Sequence, residues 1–147
     1  MCRVRRYNRR EMSVGTFRHQ VAIGATEAGP YVPVEALVDT GATYSLFPRP
    51  LLSGLGVVPH DRAEFILADG RTITRELATV VVRIGDRTRH ALCIVGDEGS
   101  ESLLGATTLE LFGLAADPVN RRLVPAALYL YYHRLDRLLE QQAYPVA

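Results

Sequence analysis

The run Val34-Glu35-Ala36-Leu37-Val38 delivers an ionisable residue, Asp39, to its end, and Thr40-Gly41-Ala42 follow at once. The apolar residues read as a strand, and Gly41 lets the backbone turn sharply where the strand stops. Taken alone, such a turn is explained by an Asp side chain that hydrogen-bonds its own backbone. A second strand end constrains the chain further. Ser102-Leu103-Leu104-Gly105 reads as a short buried strand, and a helix over Thr108 to Phe112 follows, with Thr107 or Thr108 as its cap and Gly113 as its stop.

Between and around these points the pattern is that of a β protein. Phe17, His19, Val21 and Ile23 alternate with Arg18, Gln20 and Ala22, which predicts a half-buried strand. The glycines and prolines of residues 24–33 mark a loop before the strand that carries Asp39. Pro50 and Gly56 bracket a short helix. Glu64 to Ala68 and Thr72 to Thr74 flank Asp69-Gly70, a strong hairpin signal. Strands over Ala78 to Ile84 and His90 to Val95 come next, and Leu123-Val124 reads as one more.

Length and charge narrow the function classes. A chain of 147 residues supports one core. With 48% hydrophobic and 22% charged residues it has the composition of an ordinary globular protein. A net charge of +1 argues for neither a nucleic-acid partner nor an anionic membrane. No apolar run approaches the roughly 20 residues that span a bilayer, and no signal-peptide core follows the N-terminal arginines, so the expected location is the cytoplasm. Cys2 and Cys93 make no disulfide framework, and Cys93 reads as a small core hydrophobe. The four histidines show no paired ligand spacing, which disfavours a metal hydrolase and predicts no cofactor. Residues 1–15 carry five arginines among few apolar positions and are expected to be a mobile segment. In the segment 126–147, Leu128, Tyr131, Tyr132, Leu135, Leu138 and Leu139 recur at helical spacing, so it is expected to form an amphipathic helix.

Asp39-Thr40-Gly41-Ala42, followed by a hairpin, then Leu103-Leu104-Gly105 and a short helix, resembles the retropepsin-like (retroviral-type) aspartic proteases, especially their small bacterial members. The resemblance covers Phe17 to Pro125, and residues 16–125 are read as the domain. It implies an all-β fold, a closed acid-protease barrel with one lobe per chain and short helices. By the same resemblance Asp39 is the catalytic residue. Thr40 would bond across to a partner chain, Gly41 and Ala42 would let backbone and substrate approach, and Leu104 and Gly105 would support the Asp loop. Leu67, Ala68, Asp69, Gly70 and Arg71 would form a flap over an extended peptide. The retroviral members carry an acidic residue after Asp-Thr-Gly-Ala and an arginine after the apolar-apolar-Gly. Here Thr43 and Ala106 stand at those positions, so that ion pair is missing.

The chemistry accounts for one further implication. Hydrolysis of a peptide without metal needs both a base and an acid. Two carboxylates about 3 Å apart supply both, because charges that close cannot both ionise and one proton is shared. The chain holds a single Asp-Thr-Gly, so a dyad requires two chains about a twofold axis, and a homodimer is expected. The two function classes are therefore an aspartic endopeptidase and a catalytically silent dimeric or peptide-binding domain of the same fold.

Overall fold

Phe17, Val21 and Ile23 are buried along strand β1 (Phe17–Gly24), while Arg18 and Gln20 face out. That alternation seats β1 against β2 (Val32–Val38), whose Val34, Ala36 and Val38 turn inward in the same way. In the computed structural model, which describes residues 16–130, these strands begin a closed barrel. The other strands are β3 (Ser45–Pro48), β4 (Asp61–Ile66), β5 (Thr72–Ile84), β6 (Arg87–Gly96) and β7 (Leu103–Leu104). Neighbours run β1-β2-β7-β3-β6-β5, and β5 returns to β1 through Ala22↔Arg83, Ile23↔Val82 and Gly24↔Val81. Six strands thus close the expected all-β barrel, which removes most free edges.

Strand β5 does two jobs. Its C-terminal half lies in the barrel wall against β6, with Val80 and Val82 buried in the core. Its N-terminal half pairs with β4 from Asp61↔Leu77 to Ile66↔Thr72 and forms a hairpin. From sequence, Arg75-Glu76-Leu77 separates two strands; in the fold one strand of 13 residues runs through them. The charges are tolerated because Glu76 meets Arg49 at 2.8 Å and Arg75 reaches toward Asp97 at 3.4 Å.

Helix α1 (Arg49–Gly54) has proline in its first turn, and Gly56 follows it at φ 79°, as the bracketing residues predicted. Helix α2 (Ala106–Leu111) begins earlier than expected, and its N-cap is Gly105 with no side-chain cap bond. The Thr108 hydroxyl is instead buried, 2.6 Å from the Ser45 hydroxyl. Strands β8 (Leu114–Asp117) and β9 (Arg122–Pro125) form a separate hairpin beside the barrel. Neither β3 nor β8 was read from sequence, since four residues are too few for alternation to stand out. The core gathers Phe47, Leu52, Val80, Leu104, Leu109 and Phe112 among others, so both helices pack on the barrel. Cys93 is fully buried there, and burial pushes its thiol up to about 12.

The N-terminal segment 1–15 lies outside the described residues. Of the helix expected over 126–147, residues 126–130 have no regular secondary structure, and the remainder lies outside the described residues.

Candidate active site

Strand β2 ends at Asp39 because β7 holds it there. The Leu37 N–H donates to the Ser102 carbonyl at 2.9 Å, and the Asp39 N–H donates to the Leu104 carbonyl at 3.0 Å. One step later the chain turns. The Ala42 N–H donates to the Asp39 carbonyl at 3.2 Å, and the Gly41 N–H donates to Asp39 Oδ1 at 3.0 Å. The turn is thus the Asp-to-backbone type that any strand-end Asp forms, and it also fixes the carboxylate. Asp39 is half-buried, with Thr40 and Gly41 exposed beside it. A Cβ on Gly41 would lie 3.2 Å from Asp39 Oδ1, so glycine keeps the turn tight.

Gly105 solves a closer approach. A Cβ there would lie 2.5 Å from both the carbonyl carbon and the oxygen of Tyr44, which no side chain tolerates against backbone. Its N–H donates to the buried Ser45 hydroxyl at 3.1 Å, and that hydroxyl is shared with Thr108. The start of α2 then ties down the far side of the loop. The Ala106 N–H donates to the Ala42 carbonyl at 2.8 Å, and the Thr107 N–H to the Thr43 carbonyl at 3.0 Å. Where an acid–arginine pair was missing from the sequence, two backbone bonds link the same segments.

A groove of about 550 Å³ opens beside this loop. One wall is the segment from Gly41 to Tyr44 with Leu46 of β3; the other is the hairpin, through Phe65, Leu67, Ile73 and Arg75; Ile94 of β6 adds to the lining. Tyr44 and Phe65 meet edge to face, their centroids 6.1 Å apart, and so connect the two walls. A second hollow, at Pro59, His60, Asp61, Arg62 and Glu76, is larger but more polar, and none of the Asp39 loop borders it.

The hairpin tip spans Leu67 to Arg71. The Gly70 N–H donates to the Leu67 carbonyl at 2.9 Å, with Gly70 at φ 85°. Asp69 accepts the Arg71 N–H at 3.1 Å and Arg71 Nε at 2.6 Å. These hydrogen bonds, the backbone one foremost, hold the Asp69 carboxyl below the usual carboxylate range. Of the five candidate flap residues Leu67 alone borders the groove; Ala68, Asp69, Gly70 and Arg71 are exposed at the tip. Sequence reasoning passed over Tyr44, Phe65, Ile73 and Arg75. Phe65 and Ile73 did carry a signal, since they are paired across the hairpin and period two puts them on one face. Among the described residues no group of three or more His, Cys, Asp or Glu side chains is placed to hold a metal ion. No helix among them is long and apolar enough to cross a membrane.

A six-strand closed barrel with Asp-Thr-Gly on a loop pinned by an apolar-apolar-Gly strand defines the retropepsin-like class. The family model described as gag-polyprotein putative aspartyl protease matches residues 28–110, more than half of the chain, and the chain belongs to that family. Among solved structures it is similar to EIAV protease complexed with the inhibitor HBY-793, at 18% identity and a TM-score of 0.50, over 78% of this chain and 92% of that one. That likeness is one of fold. Weaker likenesses are to a retropepsin-like aspartic protease from Rickettsia conorii (23% identity, TM-score 0.45, 69% of this chain and 87% of that one), and to the retroviral protease-like domain of Ddi1 from Leishmania major (18%, 0.46, 80% and 98%). A comparison with curated proteins returned no significant match.

Proposed function

We propose that this protein is an aspartic endopeptidase that acts as a homodimer, its site made by Asp39 from each chain. The observation that carries this is the Asp39 carboxylate itself, oriented by the N–H of Gly41, a residue that lines a groove of about 550 Å³. Each chain supplies a single such carboxylate, and the chemistry needs two. In the dimer, one Asp39 in its ionised form takes a proton from water while the protonated one donates to the scissile carbonyl oxygen. The oxygen of that water bonds to the carbonyl carbon as its proton leaves, giving a gem-diol. The C–N bond then breaks as the first Asp39 passes its new proton to the amine nitrogen and the second takes one back from a diol hydroxyl. Thr40, exposed next to Asp39, is the residue that would bond across to the second chain, and Ala42 leaves room for substrate backbone. Leu104 and Gly105 hold the loop through the bonds described above. The Leu67–Arg71 tip would close over the bound peptide, whose extended backbone supplies most of the affinity. Residues 16–125 form the domain that carries this activity, and a cytoplasmic location fits the composition.

The test is hydrolysis of an unfolded protein under mildly acidic conditions, with Asp39→Asn as control. Cleavage by the parent, lost in the variant and unaffected by chelators, is the expected outcome. Cleavage that persists in Asp39→Asn overturns the assignment. Binding of extended peptides without any cleavage by the parent would identify a silent peptide-binding domain instead.

A further inference from the structure

The face of the β4–β5 hairpin that borders the groove is mostly apolar, with Arg75 on β5 and the exposed Asp61 at the far end of β4 as its charged positions. By the alternation of a pleated strand, Ala63 and Phe65 on β4 share that face with Ile73 and Arg75 on β5, and all four are half-buried. Phe65, Ile73, Tyr44, Leu46 and Ile94 give the groove a wall suited to an aliphatic or aromatic side chain, and among the described residues Arg75 is the one cation that lines it. Glu64 also borders the groove, but it alternates to the exposed face of β4.

Arg75 is weakly engaged. Its Nη1 donates to the Thr74 carbonyl at 3.4 Å, and its Nη2 donates to Asp97 at 3.4 Å, both at the long limit of a hydrogen bond. The Asp97 side chain is 80% exposed, so solvent screens that pair, and the Arg75 side chain is 36% exposed. A guanidinium has five donors in a planar fork matched to a carboxylate, and among the described residues these two long bonds leave most of them for a ligand. It is also carried on the apolar, partly desolvated wall where a charge-assisted bond counts for more than at an open surface.

From this we infer that Arg75 is a specificity-determining residue: it selects peptides that place an acidic side chain close to the apolar residue filling the groove. The inference rests on the peptide-cleaving reading for its place in catalysis, but it concerns binding and is measured separately. Asp97 competes for the same guanidinium and tempers the preference. The acidic group is a side chain rather than a chain terminus, because the groove flanks the Asp39 loop, where an extended peptide continues in both directions.

The experiment uses the full chain and peptides blocked at both ends. Each contains one central Leu or Phe, and Glu, Gln or Lys is scanned through the positions on either side. Binding to Asp39→Asn is read by fluorescence anisotropy, and cleavage by the parent is read in parallel. At one or more positions Glu should bind about five- to tenfold more tightly than Gln, a charge-assisted contact in a partly screened groove. Arg75→Ala in the Asp39→Asn background should abolish that ratio, Arg75→Glu should invert it in favour of Lys, and Asp97→Asn should enlarge it. Glu, Gln and Lys peptides that bind equally at every position overturn the inference, as does a preference that survives Arg75→Glu. A preference found only when a free C-terminal carboxylate is present also overturns it, in favour of terminus recognition. Cleavage without charge preference leaves the peptidase reading standing and removes this one. An Arg75-dependent binding preference without cleavage by the parent does the reverse.

Discussion

Ser45 and Thr108 form a hydroxyl pair 63 positions apart in sequence, buried on both sides, and the Gly105 N–H depends on it. Ser45→Ala would strand that N–H and the Thr108 hydroxyl in the core, at a cost of about 1–3 kcal/mol. Chemical denaturation should show a loss of that size, and Asp39-dependent cleavage should fall with it because Leu104 and Gly105 hold the loop. Gly105→Ala should be harsher, since the new methyl meets the Tyr44 backbone and the strand must move; the same measurement should give a loss above the roughly 1–3 kcal/mol of ordinary overpacking. Cys93 offers a check on the core through pH. Its thiol rises from an ordinary 9.0 to about 12 in the fold, so between those values the folded chain keeps a proton that the unfolded chain has lost. The resulting stability is complete below pH 9 and is lost as pH climbs toward 12. Stability followed by denaturant midpoint should therefore fall across that window in the parent and fall less in Cys93→Ala, measured against each protein's own value at pH 8.

In the proposed peptidase the hairpin is the element that would close over substrate, and its tip is held by its own charges. The Asp69 carboxyl lies below its usual range because the Arg71 backbone N–H and guanidinium bond its ionised form. A depressed value means the contact is present above the unfolded value of 3.8 and is lost only as pH falls through the lower folded value. The tip should therefore remain closed on itself at the mildly acidic pH of an aspartic peptidase. Solution NMR of the Asp69 side chain and of the Arg71 amide should show the bond intact at pH 5 and released only below 3.8. Asp69→Asn should remove that pH dependence and leave the tip more mobile at all pH values. Alternation and an Asp-Gly pair were enough to place this hairpin. They did not reveal that β5 continues unbroken into the barrel, because Arg75 and Glu76 break the apolar pattern and are accommodated only by partners from elsewhere in the chain.

For the whole molecule, the proposed dimer makes a prediction about charge. Bringing two Asp39 carboxylates together at neutral pH requires either that they repel or that the pair takes up a proton, and both weaken association. Asp39→Asn carries no such charge. Sedimentation at pH 7 should show the variant dimerising more tightly than the parent, with the difference shrinking as pH is lowered. Equal or weaker association of the variant at neutral pH would mean that the carboxylates do not face each other.

Most of the strands and the Asp39 loop were legible because their signals are local, whereas closure into a barrel was an implication of the family resemblance that those motifs carry. Period-two alternation marks β1, an apolar run marks β2, glycine and proline mark the turns, and Asp39-Thr40-Gly41 and Leu103-Leu104-Gly105 are contiguous stretches in a recognisable order. Tertiary structure alone decided three things: which strands are neighbours beyond the hairpins, which residue caps α2, and which side chains line the groove. The four residues of β3 become a strand because β6 and β7 lie on either side of them. Thr108 gives up the capping role because Ser45 offers it a partner across the core. Tyr44, Phe65, Ile73, Arg75 and Ile94 come from four separate segments, and closure of the barrel brings them to one groove. Contacts between distant residues leave no periodicity in the chain, so a sequence records the elements and the folded molecule records where they meet.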